Sequence, residues 1–225
     1  LVNIPTNLMK LSHTNNNDHF EMKWGKTRVV FLNHHECHVA FSYFQSNFQK
    51  ADFLSLDGRG ELESCTLGRI SGKKFKKIDH TNYPHSLGVF YSSITEFLGF
   101  KSHSDEWKVM ALASYSKKKN KFYKFFNNLI KIKDTKFEMD LSYFDYYNFD
   151  KRKYLFSNKL ISILGQPRKK FEKISFKHKE IAGALQRVFE KKVLDLLKIL
   201  KKKSDSKNLI FTGGSALNSV LNGII

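Results

Sequence analysis

An apolar run from Ala51 to Leu56 ends on Asp57-Gly58-Arg59-Gly60, and nineteen residues before that aspartate stands His38, itself four residues after His34. This arrangement constrains the fold more than any other feature. The apolar run reads as a buried strand, and the glycines behind Asp57 let the backbone turn sharply and approach a ligand at Gly58 and Gly60. If the residues after Asn33 are helical, His34 and His38 share one face, close enough for two imidazoles to hold one cation, with Asp57 supplying a carboxylate. Two histidines and a carboxylate suit a divalent metal: iron, manganese or zinc. Paired histidines at helical spacing also occur on ordinary surfaces, so the weight falls on Asp57, because α/β sheets place ligands at the carboxyl ends of strands.

The surrounding order agrees with an α/β chain. Thr27 to Asn33 reads as a buried strand, a helix is expected from Glu36 to about Phe48, and Ala51 to Asp57 and Glu61 to Ile70 read as two strands around the glycine turn. His85 to Gly99, Asp105 to Tyr115 and Lys119 to Ile132 read as helices, and Phe137 to Phe156 as an irregular aromatic stretch suited to core or lid packing, or to a sugar platform. Lys177 to Lys201 is the clearest helix, with Ile181, Leu185, Val188, Phe189, Val193, Leu196 and Leu200 on one broad apolar face. Asn208 to Thr212 is a short strand, after which Gly213-Gly214 is expected to open a helix whose free amides favour phosphate; any tight strand-to-helix turn can also use Gly-Gly. Residues 1 to 26, polar and asparagine-rich, read as a loop leading into part of a domain from 27 to 225.

Composition narrows the class of function. The chain of 225 residues carries 39 basic and 21 acidic residues, a formal charge of +18. Only six of the basic residues, Arg28, Arg59, Arg69, Arg152, Arg168 and Arg187, are arginine, the side chain preferred for bidentate reading of bases and phosphates. Nucleic acid is therefore not the expected partner, and the lysine runs at Lys117 to Lys121 and Lys201 to Lys203 read as solvated helix surfaces. The overall field still favours anionic ligands. Cys37 and Cys65 form no disulfide framework, which points to a reducing, cytoplasmic setting, and no apolar run reaches the roughly 18 residues needed to span a bilayer.

Five blocks occur in order: the histidine motif with its glycine turn, Tyr83-Pro84-His85-Ser86-Leu87-Gly88-Val89-Phe90-Tyr91, Leu98-Gly99-Phe100, Asp105-Glu106-Trp107-Lys108-Val109-Met110-Ala111-Leu112-Ala113, and Gly213-Gly214-Ser215-Ala216-Leu217-Asn218-Ser219-Val220-Leu221-Asn222. In series they resemble the carbamoyltransferase family of NodU, TobZ and CmcH type, from about Thr27 to Ile225. The resemblance implies an actin-like ATPase (ribonuclease H-like) fold, a mixed sheet flanked by helices, here incomplete at both ends. It also implies ATP and carbamoyl phosphate as co-substrates: a YrdC-like domain absent from this chain makes carbamoyl-adenylate, and this domain passes the carbamoyl group to a hydroxyl of a saccharide or small molecule.

Carried over by position, His34, His38 and Asp57 resemble the family's metal ligands, with iron the usual suggestion and a fourth aspartate lying beyond Ile225. Gly58, Gly60, Gly213, Gly214 and Asn218 resemble nucleotide-contacting positions. Asp105 and Lys108 sit where related threonylcarbamoyltransferases contact the adenylate; a surface salt bridge or helix cap is the alternative. Glycine is typical where Ala111 and Ser116 stand, and Ser116 would be strained at positive φ. The general base is unassigned, with His35 and His85 the candidates because imidazole titrates near neutral pH. Read as a fragment, the chain alone is not expected to carbamoylate anything. A threonylcarbamoyltransferase-like tRNA modifier and a non-catalytic nucleotide-binding remnant remain as alternatives.

Overall fold

A computed structural model describes residues 19–24, 26–117, 120–149, 152–204 and 206–225. Two strands, β1 (His19–Trp24) and β2 (Thr27–Leu32), form an antiparallel hairpin that is its own two-stranded sheet. Part of the segment read as a loop is therefore a strand; residues 1–18 of that segment lie outside the described residues. The expectation of a buried strand at Thr27 also fails, since Val30 is 42% and Leu32 59% exposed. A two-stranded ribbon outside the main sheet has too few neighbours to cover both faces.

Helix α1 (His34–Gln45) follows, then β3 (Lys50–Leu56), β4 (Glu63–Ser71) and β5 (Lys74–Asn82). β5 was not anticipated: its outward face is lysine-rich and its turn rests on Gly72 at φ +57, features of a solvated edge strand. Helices α2 (Leu87–Phe97), α3 (Glu106–Ala113) and α4 (Lys121–Asn128) come next, then β6 (Ile130–Lys133) and β7 (Lys136–Met139). The helix expected to reach Ile132 ends at Asn128 because Ile130 and Ile132 enter a hairpin, paired with Met139 and Phe137, whose tight turn places Asp134 at φ +52. The aromatic stretch begins in β7 and closes on a bridge between Phe144 and Phe156. Then come α5 (Asn158–Leu164), α6 (Phe176–Lys202), β8 (Leu209–Thr212), a 3-10 turn over Gly214–Leu217 and the short α7 (Ser219–Asn222).

The main sheet is mixed, in the order β5-β4-β3-β8, with β3 parallel to β8 and antiparallel to β4. β3 is buried from Ala51 to Leu56 because both its faces are covered, with Asp52 and Ser55 its buried polar residues. Ala51 and Phe53 pack with Val39 and Tyr43 of α1, while Leu54 and Leu56 join the larger core on the other side with α2, α3 and α6. In α6, Leu185, Val188, Val193 and Leu196 are fully buried, each such side chain contributing roughly 1.5–3 kcal/mol of burial. Sheet and helices thus fix the carboxyl ends of β3 and β8 side by side. No helix among the described residues is long and apolar enough to cross a membrane.

Candidate metal centre and adjoining cavity

The helix that carries the histidines starts where its cap dictates. Asn33 Oδ1 accepts from the Glu36 amide at 3.0 Å, and Asn33 Nδ2 donates to Glu63 Oε2 at 3.0 Å, tying the cap to β4. The first turn therefore begins at His34, two residues before the expected start. His34 and His38, one turn apart, bring their rings edge to face with centroids 4.6 Å apart.

Asp57, the residue after β3, meets them. Its Oδ2 lies 2.8 Å from His34 Nε2 and 3.0 Å from His38 Nε2, and the two nitrogens are 3.0 Å from each other. Its Oδ1 accepts from the Gly58 amide at 2.7 Å, which fixes the carboxylate's rotation and leaves Oδ2 facing the rings. Burial pushes the Asp57 carboxyl up, but the bonds from His34, the Gly58 amide and His38 outweigh it and hold the group below the usual carboxylate range. With the ring protons on the Nδ1 atoms, the two Nε2 atoms and Asp57 Oδ2 offer three donors close enough together to hold one metal ion. Two histidines and one carboxylate at this spacing would suit a divalent cation with further positions open. His34 and His38 are 38% and 35% exposed, so the open side faces solvent.

His35 points the other way and is fully buried. Its Nε2 lies 3.2 Å from the Glu63 carbonyl, which can only accept, so that nitrogen carries the proton and Nδ1 accepts from Ser55 Oγ at 2.8 Å. Burial lowers the His35 pKa against the raising influence of the Glu63 carbonyl and carboxylate. Gly60 belongs to the same packing: a Cβ there would come 3.0 Å from the His35 ring. His85 Nδ1 accepts the Met139 amide at 3.0 Å and so anchors the β6–β7 hairpin. Both base candidates thus hold structural bonds, and neither lines the cavity described next.

That cavity, about 410 Å³, is lined by Asp57, Gly58, Trp107, Phe189, Gly214 and Asn218 among others. Gly213, at φ +92, passes so close to β3 that a Cβ would meet the Leu56 carbonyl, and a Cβ on Gly88 would strike Ser215 Oγ and the Asp57 carbonyl. Gly213-Gly214 opens a 3-10 turn rather than the expected α-helix, because Asn218 stops it and starts α7 by accepting the Leu221 amide at 3.0 Å. The rest of the Asn218 side chain exchanges two hydrogen bonds with Gln186, at 2.9 and 3.1 Å, so it forms a braced wall. Asp105 and Lys108 pair with each other at 2.9 Å, and that bond holds the Asp105 carboxyl low. They do not line the cavity; Ser104, Glu106 and Trp107 between and before them do. Ser116 is not among the residues at positive φ, so the anticipated strain does not arise. Gly88 and Trp107 lay inside the recognised blocks, yet only the three-dimensional approach shows what they touch.

Sequence comparisons assign this mixed α/β chain to a family. The chain belongs to the family described as the carbamoyltransferase N-terminus, whose pattern it matches over residues 9–225. It is 34% identical over 197 residues to an uncharacterized protein of Synechocystis sp., covering 87% of this chain and 31% of that protein. An uncharacterized protein of Methanocaldococcus jannaschii is 30% identical, covering 88% and 36% respectively. Nodulation protein NolNO of Sinorhizobium fredii is 28% identical, covering 88% and 27%. The chain thus spans about a third of the length of the curated relatives it matches.

Proposed function

We propose that this chain is the metal- and nucleotide-binding part of an O-carbamoyltransferase that moves a carbamoyl group from carbamoyl-adenylate to a hydroxyl of a sugar or other small molecule. The convergence of His34, His38 and Asp57 on one point at the lip of the cavity carries this reading, together with family membership. The mixed sheet with helices on both faces is compatible with the actin-like ATPase fold, which we include in the proposal. Carbamoyl-adenylate would come from carbamoyl phosphate and ATP in a YrdC-like part of the whole protein.

His34, His38 and Asp57 would hold the cation, iron(II) first and manganese or zinc as alternatives. When bound, such a cation supplies Lewis-acid polarisation to carbamoyl or phosphate oxygens. The chain's own groups do the rest. Gly58 and Gly214 keep the space beside Asp57 free of side chains, so a ligand can approach the backbone. Trp107 and Phe189 give the cavity apolar walls that limit water, the competing acceptor for the carbamoyl group. The acceptor oxygen forms a new bond to the carbamoyl carbon, the carbon–oxygen bond to the phosphate breaks, AMP leaves with its electron pair, and the hydroxyl proton is released.

Metal analysis of the purified chain after loading with manganese tests the site. One equivalent is expected in the wild type and a loss of at least tenfold in affinity in His38→Ala. Equal metal content in the two proteins would reject the assignment.

A further inference from the structure

Arg59 sits two residues beyond Asp57, so its Cα lies within about 7 Å of that ligand's. It is the central residue of the glycine turn and it is exposed. Its guanidinium carbon lies 5.1 Å from the centre of the Tyr83 ring and 5.3 Å from that of Phe149, two rings nearly parallel to each other at 6.3 Å. These contacts hold the guanidinium beside two aromatic rings.

The other arginines with described side chains spend their donors inside the protein. Arg69 bonds to Asp52 and Ser204, Arg152 to the Tyr146 carbonyl, Arg168 to carbonyls including those of Leu98 and Glu172, and Arg187 to Ser116 and the Lys117 carbonyl. Arg59 has no hydrogen-bond or carboxylate partner among the described residues. Its position is nevertheless fixed. Ser86 Oγ donates to the Gly58 carbonyl at 2.7 Å, the Gly60 amide donates to the Glu63 carbonyl at 2.7 Å, and the Tyr83 hydroxyl donates to the Tyr146 carbonyl at 3.1 Å. A guanidinium held by two rings on an anchored turn, with no hydrogen-bond partner among the described residues, is suited to receive an oxyanion bidentately.

We infer that Arg59 binds a phosphoryl group of the ligand held at the His34–His38–Asp57 centre, with the Tyr83 and Phe149 rings holding the guanidinium in place. The inference rests on the functional reading above. Two sources share the chemistry, the phosphate of a nucleotide and that of carbamoyl phosphate.

The test is calorimetric titration of the manganese-loaded chain with AMP, with carbamoyl phosphate, and with adenosine as a phosphate-free control. Arg59→Met is expected to weaken AMP, carbamoyl phosphate or both by at least about tenfold, to leave adenosine and the metal content unchanged, and to be partly rescued by Arg59→Lys, which keeps the charge without the fork. Loss confined to AMP assigns the nucleotide phosphate, and loss confined to carbamoyl phosphate assigns the other source. Unchanged affinity for both probes in a metal-loaded Arg59→Met protein overturns the role of Arg59 alone. A wild-type chain that retains metal but binds neither probe also overturns it, whereas a wild type that takes up no metal and binds neither overturns the functional reading with it.

Discussion

Gly214 stands against Asp57 so closely that a Cβ at position 214 would lie 2.9 Å from Asp57 Oδ1. The turn after β8 thereby limits where the carboxylate after β3 can go. Oδ1 is also the oxygen that accepts the Gly58 amide, so pressure on it rotates Oδ2 away from the histidines. Gly214→Ala should weaken manganese binding by about tenfold while leaving the far-ultraviolet dichroism unchanged. Isothermal titration decides it, and wild-type affinity would show that the carboxylate has room to move.

His35 predicts the opposite pattern. Because it bonds Ser55 and the Glu63 carbonyl in the core, His35→Leu should lower folding stability by about 1–3 kcal/mol, since it strands the hydroxyl and the carbonyl. Manganese stoichiometry in the folded fraction should stay at the wild-type value. Urea unfolding read beside metal analysis separates the two effects.

Glu63 sets an acid limit on stability. Burial raises its carboxyl, but the bonds from Lys77 and Asn33 outweigh that and leave its folded pKa lowered. A lowered folded pKa means that this contribution is fully present above the unfolded value of about 4.3 and is lost as pH falls through the folded one. The urea midpoint should therefore drop on acidification below about pH 5, and Glu63→Gln should start lower at pH 7 and fall less. Parallel curves for the two proteins would show that other carboxylates dominate.

Arg168 is buried and donates to the carbonyls of Leu98, Gly99, Lys170 and Glu172, which ties the loop before α6 to the end of α2. Arg168→Met keeps the volume but removes these donors and should cost about 3 kcal/mol. Thermal unfolding measures it, and a shift within error of zero would place the loop's anchoring elsewhere.

The sequence revealed elements whose cause is local or strongly periodic. Ala51 to Leu56 is mainly apolar because both faces are covered, and α6 carries its core residues at helical spacing, so each was readable within a residue or two. The approach of His34, His38 and Asp57 to one another was readable because two of them share a helix face and the third follows a buried strand. β5 was hidden because its outward residues are lysines, and the β6–β7 hairpin because a helical stretch leads straight into Ile130. The structural duties of His35 and His85 depend on partners in other elements, Glu63 and Met139, and no spacing rule reports those.

The pairing of β3 with β8 has a kinetic meaning. His34, His38 and Asp57 lie within one short stretch of chain, joined by a helix, a turn and a strand, whereas Gly214 and Asn218 reach the same place only when β8 adds to the sheet from far along the sequence. Closing so long a loop is the slower event. During refolding, the chain should thus capture an ion before it can enclose an organic ligand, and metal uptake should run ahead of cavity formation.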